Sequence, residues 1–388
     1  MSTTRIAGTG LTRFGVHEGR SGRDLFAEAG LAALADAGIS PEAIEEVYYG
    51  NFIGELAEEQ GHQGPLMADA IGVAAPTRRL EGACASSGLA VRDAVRAIEA
   101  GQTDVAVVGG MERLTNMGTT AVTGGLATAA DAVYEGQAGV TFPGAYALMA
   151  RAYIEAYGGS KTDLAHIAVK NHANAAANPD AHYQHEITVE EALEAPIVAS
   201  PLGLYDACPI SDGAAALVLV SERFAESHGL EAPTAITGSG AGSDRLALQD
   251  RASMTYTPAT ESAATEAYAA AGITSQDVDL AEVHDCFTIA EVLALESLGF
   301  IERGEGMGLA RDGVTTRGGR LPVNLSGGLK AKGHPVGATG AAQVVAVARL
   351  LAGTHPNASA VPNARVGLAH NAGGTVATAT VHIVEVIE

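Results

Sequence analysis

Hydrophobic positions along this chain follow two alternating periods. Short, nearly continuous apolar runs at residues 4–8, 47–52, 104–108 and 212–220 predict strands, and runs apolar at almost every position predict a sheet buried on both faces. Between them the period changes to that of a helix. Ser21 is placed to cap a helix through about Ala37, with Leu25, Ala29, Ala32 and Ala33 on one face. Residues 84–100 form a second helical pattern, apolar at Leu89, Val91, Val95 and Ile98, and the strand at 104–108 is expected to end in Gly109-Gly110. Strands alternating with helices indicate an α/β architecture.

From 117 to 202 the character changes. Gly, Thr, Ala and Tyr give way to polar helical stretches bearing His166, His172, Asn174, His182 and His185. This segment reads as an insertion forming a lid or loop domain. Its histidines are irregularly spaced and read as a solvated helical surface rather than a metal site. After Ala232 the strand–helix scheme repeats, with a strand near Ala235, a helix over 261–271, a strand over 280–283, a helix over 288–298 and another after Gly340. Final strands at 365–369 and 375–386 flank the Gly-rich turn His370-Asn371-Ala372-Gly373-Gly374. The expected division is a first half of 1–117 with 203–230, an inserted loop domain of 118–202 and a second half of 231–388, with a cleft where the halves meet.

Composition narrows the function. No apolar run approaches the roughly 18 residues of a membrane-spanning helix, and no basic arm precedes an apolar stretch. Cys84, Cys208 and Cys286 are odd in number and far apart, which points to a reducing cytoplasm rather than a disulfide framework. Without C-x-x-C or H-E-x-x-H spacing, no metal is expected. The formal charge of −22 opposes nucleic-acid binding. With 19 arginines against four lysines, the chain resembles proteins of salt-rich cytoplasm, a GC-rich genome being the alternative explanation.

Three segments carry candidate chemistry. Cys84 lies among small residues at a strand-to-helix turn, where unpaired N–H groups favour a thiolate and an oxyanion, though buried structural cysteines are also common. His334 is locked between Gly333 and Pro335 ahead of a helix. His284 and Cys286 end a buried strand on one side, with Asp285 opposite, where α/β sheets bind ligands. They form a candidate acid/base pair, the alternative being a core cysteine with a satisfied histidine. Asn324-Leu325-Ser326-Gly327-Gly328 and His370-Asn371-Ala372-Gly373-Gly374 read as turns able to present N–H groups to an anion or carbonyl oxygen, or equally as ordinary tight turns.

These segments, with Val107-Val108-Gly109-Gly110-Met111-Glu112, Ser211-Asp212-Gly213-Ala214-Ala215-Ala216 and Gly333-His334-Pro335-Val336-Gly337-Ala338-Thr339-Gly340, together resemble the thiolase superfamily nearly end to end. The resemblance implies a five-layered αβαβα fold of two duplicated halves with an inserted loop domain. It implies acetyl-CoA C-acetyltransferase chemistry, with degradative 3-ketoacyl-CoA cleavage or a non-catalytic acyl-CoA-binding scaffold as alternatives. Many thiolases carry N-E-A-F where this chain has His284-Asp285-Cys286-Phe287, and C-x-G-G-G where it has His370-Asn371-Ala372-Gly373-Gly374. The combination looks like the archaeal and sterol-carrier-protein-type branch. By that likeness Cys84 is acylated, His334 activates it, Cys286 is the second acid/base and His284 holds an enolate oxygen. The N–H groups of Cys84 and Gly373 form the oxyanion hole, with Asn371 and His370 in support. Ser211, Ser326, Phe142 and Tyr146 are assigned to the substrate pocket. No metal and no cofactor beyond the coenzyme A thioester substrates are implied. The implied partners are a second copy of the chain (dimer or tetramer), a small zinc-ribbon/OB-fold protein and HMG-CoA synthase, with no nucleic acid and no membrane.

Overall fold

The two most apolar segments, Val105–Glu112 and Gly213–Ser221, are buried at every position and pair antiparallel inside one sheet. The computed structural model describes residues 3–387. Its strands are β1 (Thr4–Leu11), β2 (Glu46–Gly50), β3 (Thr77–Leu80), β4 (Val105–Glu112), β5 (Ile197–Ala199), β6 (Leu202–Gly203), β7 (Gly213–Ser221), β8 (Thr234–Ser243), β9 (Leu280–Glu282), β10 (Val366–Gly373) and β11 (Thr378–Val386). Its helices are α1 (Gly22–Ala37), α2 (Gly54–Glu58), α3 (Gln63–Ala70), α4 (Ser86–Glu99), α5 (Thr119–Ala127), α6 (Phe142–Tyr157), α7 (Lys161–Ala176), α8 (Val189–Glu194), α9 (Glu222–His228), α10 (Pro258–Ala271), α11 (Thr288–Ser297) and α12 (Thr339–Leu351).

The main sheet has the order β3-β2-β4-β7-β1-β8-β11-β10-β9. A seam at β1–β8, paired antiparallel, divides it. Outward from the seam both sides read alike. β1–β7 and β7–β4 are antiparallel and β4–β2 parallel; β8–β11 and β11–β10 are antiparallel and β10–β9 parallel. The parallel β2–β3 pair has its counterpart in the parallel bridge Ala281↔Val323. This register repeat is the duplication in physical form.

Helices α4 and α12 lie between the half-sheets and touch strands of both. Helix α1 packs outside β1, β7 and β4, and α10 outside β8 and β11. Three apolar cores fill the resulting five layers, the central one joining α4 and α12 to both half-sheets. Helices α5 to α8 and the β5–β6 hairpin fall between β4 and β7 in the chain.

Local chemistry explains the element ends. The Ser21 hydroxyl accepts from the Asp24 N–H while the Asp24 carboxylate accepts from the Ser21 N–H, and Gly38 closes α1 in the left-handed conformation. The buried stripe of α1 is Leu25, Phe26, Ala29, Ala33, Leu34 and Ala37; Ala32, expected on it, faces solvent because it falls off the i, i+4, i+8 row. Strand β4 does not end at Gly109-Gly110 but continues to Glu112. Those glycines exist for close approach: a Cβ on Gly109 would stand 2.3 Å from the Ala215 carbonyl, and one on Gly110 2.0 Å from the Gly337 carbonyl. Likewise His370 to Gly373 are the end of β10, not a turn.

The central helices meet at their first turns. A Cβ on Gly340 would stand 2.3 Å from the Gly88 backbone nitrogen and 2.4 Å from Asn371 Oδ1. The Ala341 N–H donates to Ser87 Oγ at 3.0 Å, linking the two helices directly. Gly340→Ala overpacks this crossing and is expected to lower unfolding free energy by about 1–3 kcal/mol, read from urea denaturation. Gly124→Ala, where a Cβ meets nothing within 4 Å, is the control and should be neutral or slightly stabilising.

Candidate functional site

The first turns of α4 and α12 are preceded by tight 3₁₀ turns, Ala83–Ala85 and Val336–Ala338, which the helix crossing brings side by side. Cys84 sits in the first. Ala83 adopts φ 52°, a left-handed conformation unusual for alanine. The turn is held by the Ala83 N–H donating to Glu81 Oε1 and by Ser86 Oγ, which accepts from the Gly82 N–H and donates to the Ala83 carbonyl. The end of β10 presses on it so closely that a Cβ on Gly373 would stand 2.1 Å from the Gly82 carbonyl.

Two buried carboxylates pin the surrounding loops. Glu112 accepts from the N–H groups of Phe52, Ile53 and Gly337 and from Asn51 Nδ2, tying β4 to the His334 turn. Burial lifts its pKa to about 7. Asp285 accepts from the Leu329 and Lys330 N–H groups and from Asn171 Nδ2. It thus faces the segment before His334, on the side away from the cavity that Cys286 lines.

One ring nitrogen each of His284 and His334 and the Cys84 sulfur lie within 4.8 Å of one another. The imidazoles meet edge to face, with centroids 5.1 Å apart. Their hydrogen bonds assign opposite tautomers. Thr339 Oγ1 donates its only proton to the Pro335 carbonyl at 2.9 Å, so at 2.7 Å it accepts from His334 Nδ1–H. His334 Nε2 is therefore a free base. Asn371 Nδ2 donates to His284 Nδ1 at 3.1 Å, so His284 carries its proton on Nε2, which has no partner among the described residues. One imidazole offers a lone pair and the other an N–H.

Electrostatics reinforce the arrangement. Burial holds His284 well below the usual imidazole range, with His334 and His370 adding to the effect, and lowers His334 to about 3. Both rings are neutral at neutral pH. Cys84 is pushed up to about 12, chiefly by burial and secondly by Cys208, against a bond from the Gly374 N–H. The expectation that the helix terminus would favour a thiolate is thus reversed: desolvation outweighs the partial charge of the turn. Cys286 is raised as well, by burial and then by Cys208.

Cys84, Cys286 and His334 open onto one cavity of 270 Å³, also lined by Phe142, Tyr146 and Gly374. Tyr146 stacks on Phe287 and donates to the Gly374 carbonyl. Several assignments move. The Gly374 N–H bonds to the Cys84 sulfur, one residue beyond the Gly373 assigned to the oxyanion hole. His370 serves from behind, its Nδ1 accepting from the His284 N–H at 3.4 Å and its Nε2 bonded to Thr260 Oγ1. Ser211 is bonded to His182 and the Pro209 carbonyl, and Ser326 to Glu282; neither lines the cavity. His172 is fully buried, stacked on Tyr183 and tilted against His185, rather than solvated. Cys208, left without a role by the sequence, lines the cavity, and its N–H donates to the Cys286 carbonyl. Only its thiol chemistry could have drawn attention to it.

Comparison with known proteins follows the same lines. Residues 4–223 match the model described as "Thiolase, N-terminal domain" and 240–386 that described as "Thiolase C-terminal domain-like". The chain belongs to the thiolase family. It is 43% identical over 384 residues to the acetyl-CoA acetyltransferase of Methanothermobacter thermautotrophicus, covering 99% of both chains. It is 36% identical to the benzoylsuccinyl-CoA thiolase subunit BbsB of Thauera aromatica, covering 95% of this chain and 94% of that one. A solved structure named "Ltp2-ChsH2(DUF35) aldolase" superposes with a TM-score of 0.85 at 28% identity, covering 99% of this chain and 98% of that one.

The raised thiol has a direct consequence. Alkylation of Cys84 by iodoacetamide should rise about tenfold per pH unit from about pH 7 to 10, because only the thiolate reacts. A rate already level by about pH 8 would mean a Cys84–His334 ion pair instead.

Proposed function

We propose that this chain is an acetyl-CoA C-acetyltransferase, condensing two acetyl-CoA through an acetyl-Cys84 intermediate. The observation that carries the reading is the approach of Cys84, His284 and His334 within 4.8 Å beside a cavity shared with Cys286. The name and 43% identity of the Methanothermobacter thermautotrophicus relative support the choice of acetyl-CoA.

The chemistry balances on these residues alone. Cys84 attacks the acetyl carbonyl and passes its proton to His334 Nε2, the free base. Cys286, whose raised pKa suits a proton donor, protonates the departing coenzyme A sulfur and becomes a thiolate. That thiolate removes an α-proton from a second acetyl-CoA. The enolate oxygen is met by His284 Nε2–H and by protonated His334. Attack of the enolate on acetyl-Cys84 forms acetoacetyl-CoA. The tetrahedral oxygen rests on backbone N–H groups at the Cys84 turn, with the Gly374 N–H nearby. Cys84 then recovers its proton from His334. No resident metal or cofactor enters any step.

The setting we propose is cytoplasmic, and among the described residues no helix is long and apolar enough to cross a membrane. The two-part name of the aldolase neighbour supports a small protein partner, which would also bring contacts for the coenzyme A phosphates to a chain of charge −22.

Incubation with acetyl-CoA should add one acetyl mass at Cys84, and Cys84→Ser should abolish both the adduct and turnover, lowering kcat by about 10³-fold or more. Cys286→Ala should still form the adduct but lose condensation. Retro-aldol cleavage needs no acyl-cysteine, so an unlabelled yet active enzyme would replace this reading with that one.

A further inference from the structure

Tyr146 lies near the start of α6 and is buried, its ring stacked on Phe287 with centroids 4.8 Å apart. Phe287 follows Cys286 in the chain, so the stack carries the phenol alongside that thiol, and both line the cavity beside Cys84. A buried tyrosine hydroxyl needs a partner. The Gly374 carbonyl supplies one, accepting the phenolic proton at 3.0 Å. The hydroxyl also bonds to the Cys286 sulfur, a contact that burial alone does not require. A phenol has one proton and spare lone pairs. With its proton on the Gly374 carbonyl, Tyr146 offers Cys286 only a lone pair, which suits a thiol. A thiolate has nothing to donate and needs a donor. Burial foremost, then Cys208, Cys84 and Asp285, disfavour the Cys286 thiolate, whereas Tyr146 favours it. Rotation about the phenolic C–O bond carries the proton from the carbonyl side to the sulfur side and breaks no covalent bond.

We propose that Tyr146 is a positioning residue for the acid/base step: its hydroxyl bonds to the Gly374 carbonyl while Cys286 is a thiol and turns to the sulfur when Cys286 becomes a thiolate. The inference rests on the acid/base reading of Cys286 and deepens it. It gives Tyr146 a role on the enzyme's own thiol rather than on the substrate alone. Gly374 then serves both thiols, its N–H bonded to the Cys84 sulfur and its carbonyl holding the hydroxyl that Cys286 later draws away.

Two measurements test it. In a Cys84→Ser background, alkylation of Cys286 by iodoacetamide at about pH 9 is followed by peptide mass. Tyr146→Phe keeps the ring stack and removes the donor, so the rate should fall about ten- to a hundredfold, the worth of a hydrogen bond to a charged group. Cys208, which lines the same cavity, is the internal control. A site merely loosened by the substitution would speed both thiols, so an unchanged or faster rate at Cys286 overturns the proposal. The second measurement is deuterium exchange from heavy water into the acetyl-CoA methyl group, catalysed by the full chain. Tyr146→Phe should still acetylate Cys84, while exchange and kcat fall about ten- to a hundredfold and KM stays level. A raised KM with kcat unchanged also overturns the proposal, because it makes Tyr146 a substrate contact. Slower alkylation with exchange unchanged would keep the Tyr146–Cys286 bond and sink the acid/base reading beneath it.

Discussion

The contact on which the site depends is the crossing of two helices at Gly88 and Gly340. No side chain separates them, and the Asn371 side chain fills the remaining space from β10. That approach sets the Cys84 turn against the His334 turn. It also brings Asn371 to the back of His284, where its amide fixes the ring's tautomer. One crossing therefore determines where the sulfur lies, where the base lies and which nitrogen of the second imidazole carries a proton. The two half-sheets make the crossing possible, because each feeds one helix into the central layer.

Burial supplies the second constraint. The site desolvates a part-exposed thiol and buries two imidazoles, and leaves all of them uncharged. A neutral resting site avoids the cost of isolated buried charge. It also means that nucleophile activation waits for substrate, since the proton of Cys84 moves only as the new bond forms. The same desolvation raises Cys286, which fits a group that must give a proton before it can take one.

Much of the architecture was legible along the chain because it rests on local rules. The Ser21 cap, the continuous apolar runs of β4 and β7, and the repeated order of elements follow from neighbours in sequence. What failed was set by contacts distant in sequence. Gly109-Gly110 reads as a strand end until Ala215 and Gly337 are seen against it. His172 reads as solvated until Tyr183 is seen stacked on it and His185 packed at a tilt beside it. The direction of the Cys84 shift could not be read from a helix terminus, because burial outweighs it. The gathering of Cys84, His284 and His334 was not visible in spacing at all; it entered through likeness to a family. Cys208 shows the limit most plainly, since its place in the cavity depends on a backbone bond to Cys286.

The opposed, neutral tautomers of the two imidazoles are the central claim, and nitrogen-15 NMR of histidine-labelled protein measures them directly. Resonances assigned through His284→Asn and His334→Asn should show His334 protonated at Nδ1 and His284 at Nε2. Neither should titrate between about pH 8 and 5, although an ordinary imidazole does so near 6.5. An imidazolium at neutral pH, or the same tautomer on both rings, would contradict the account.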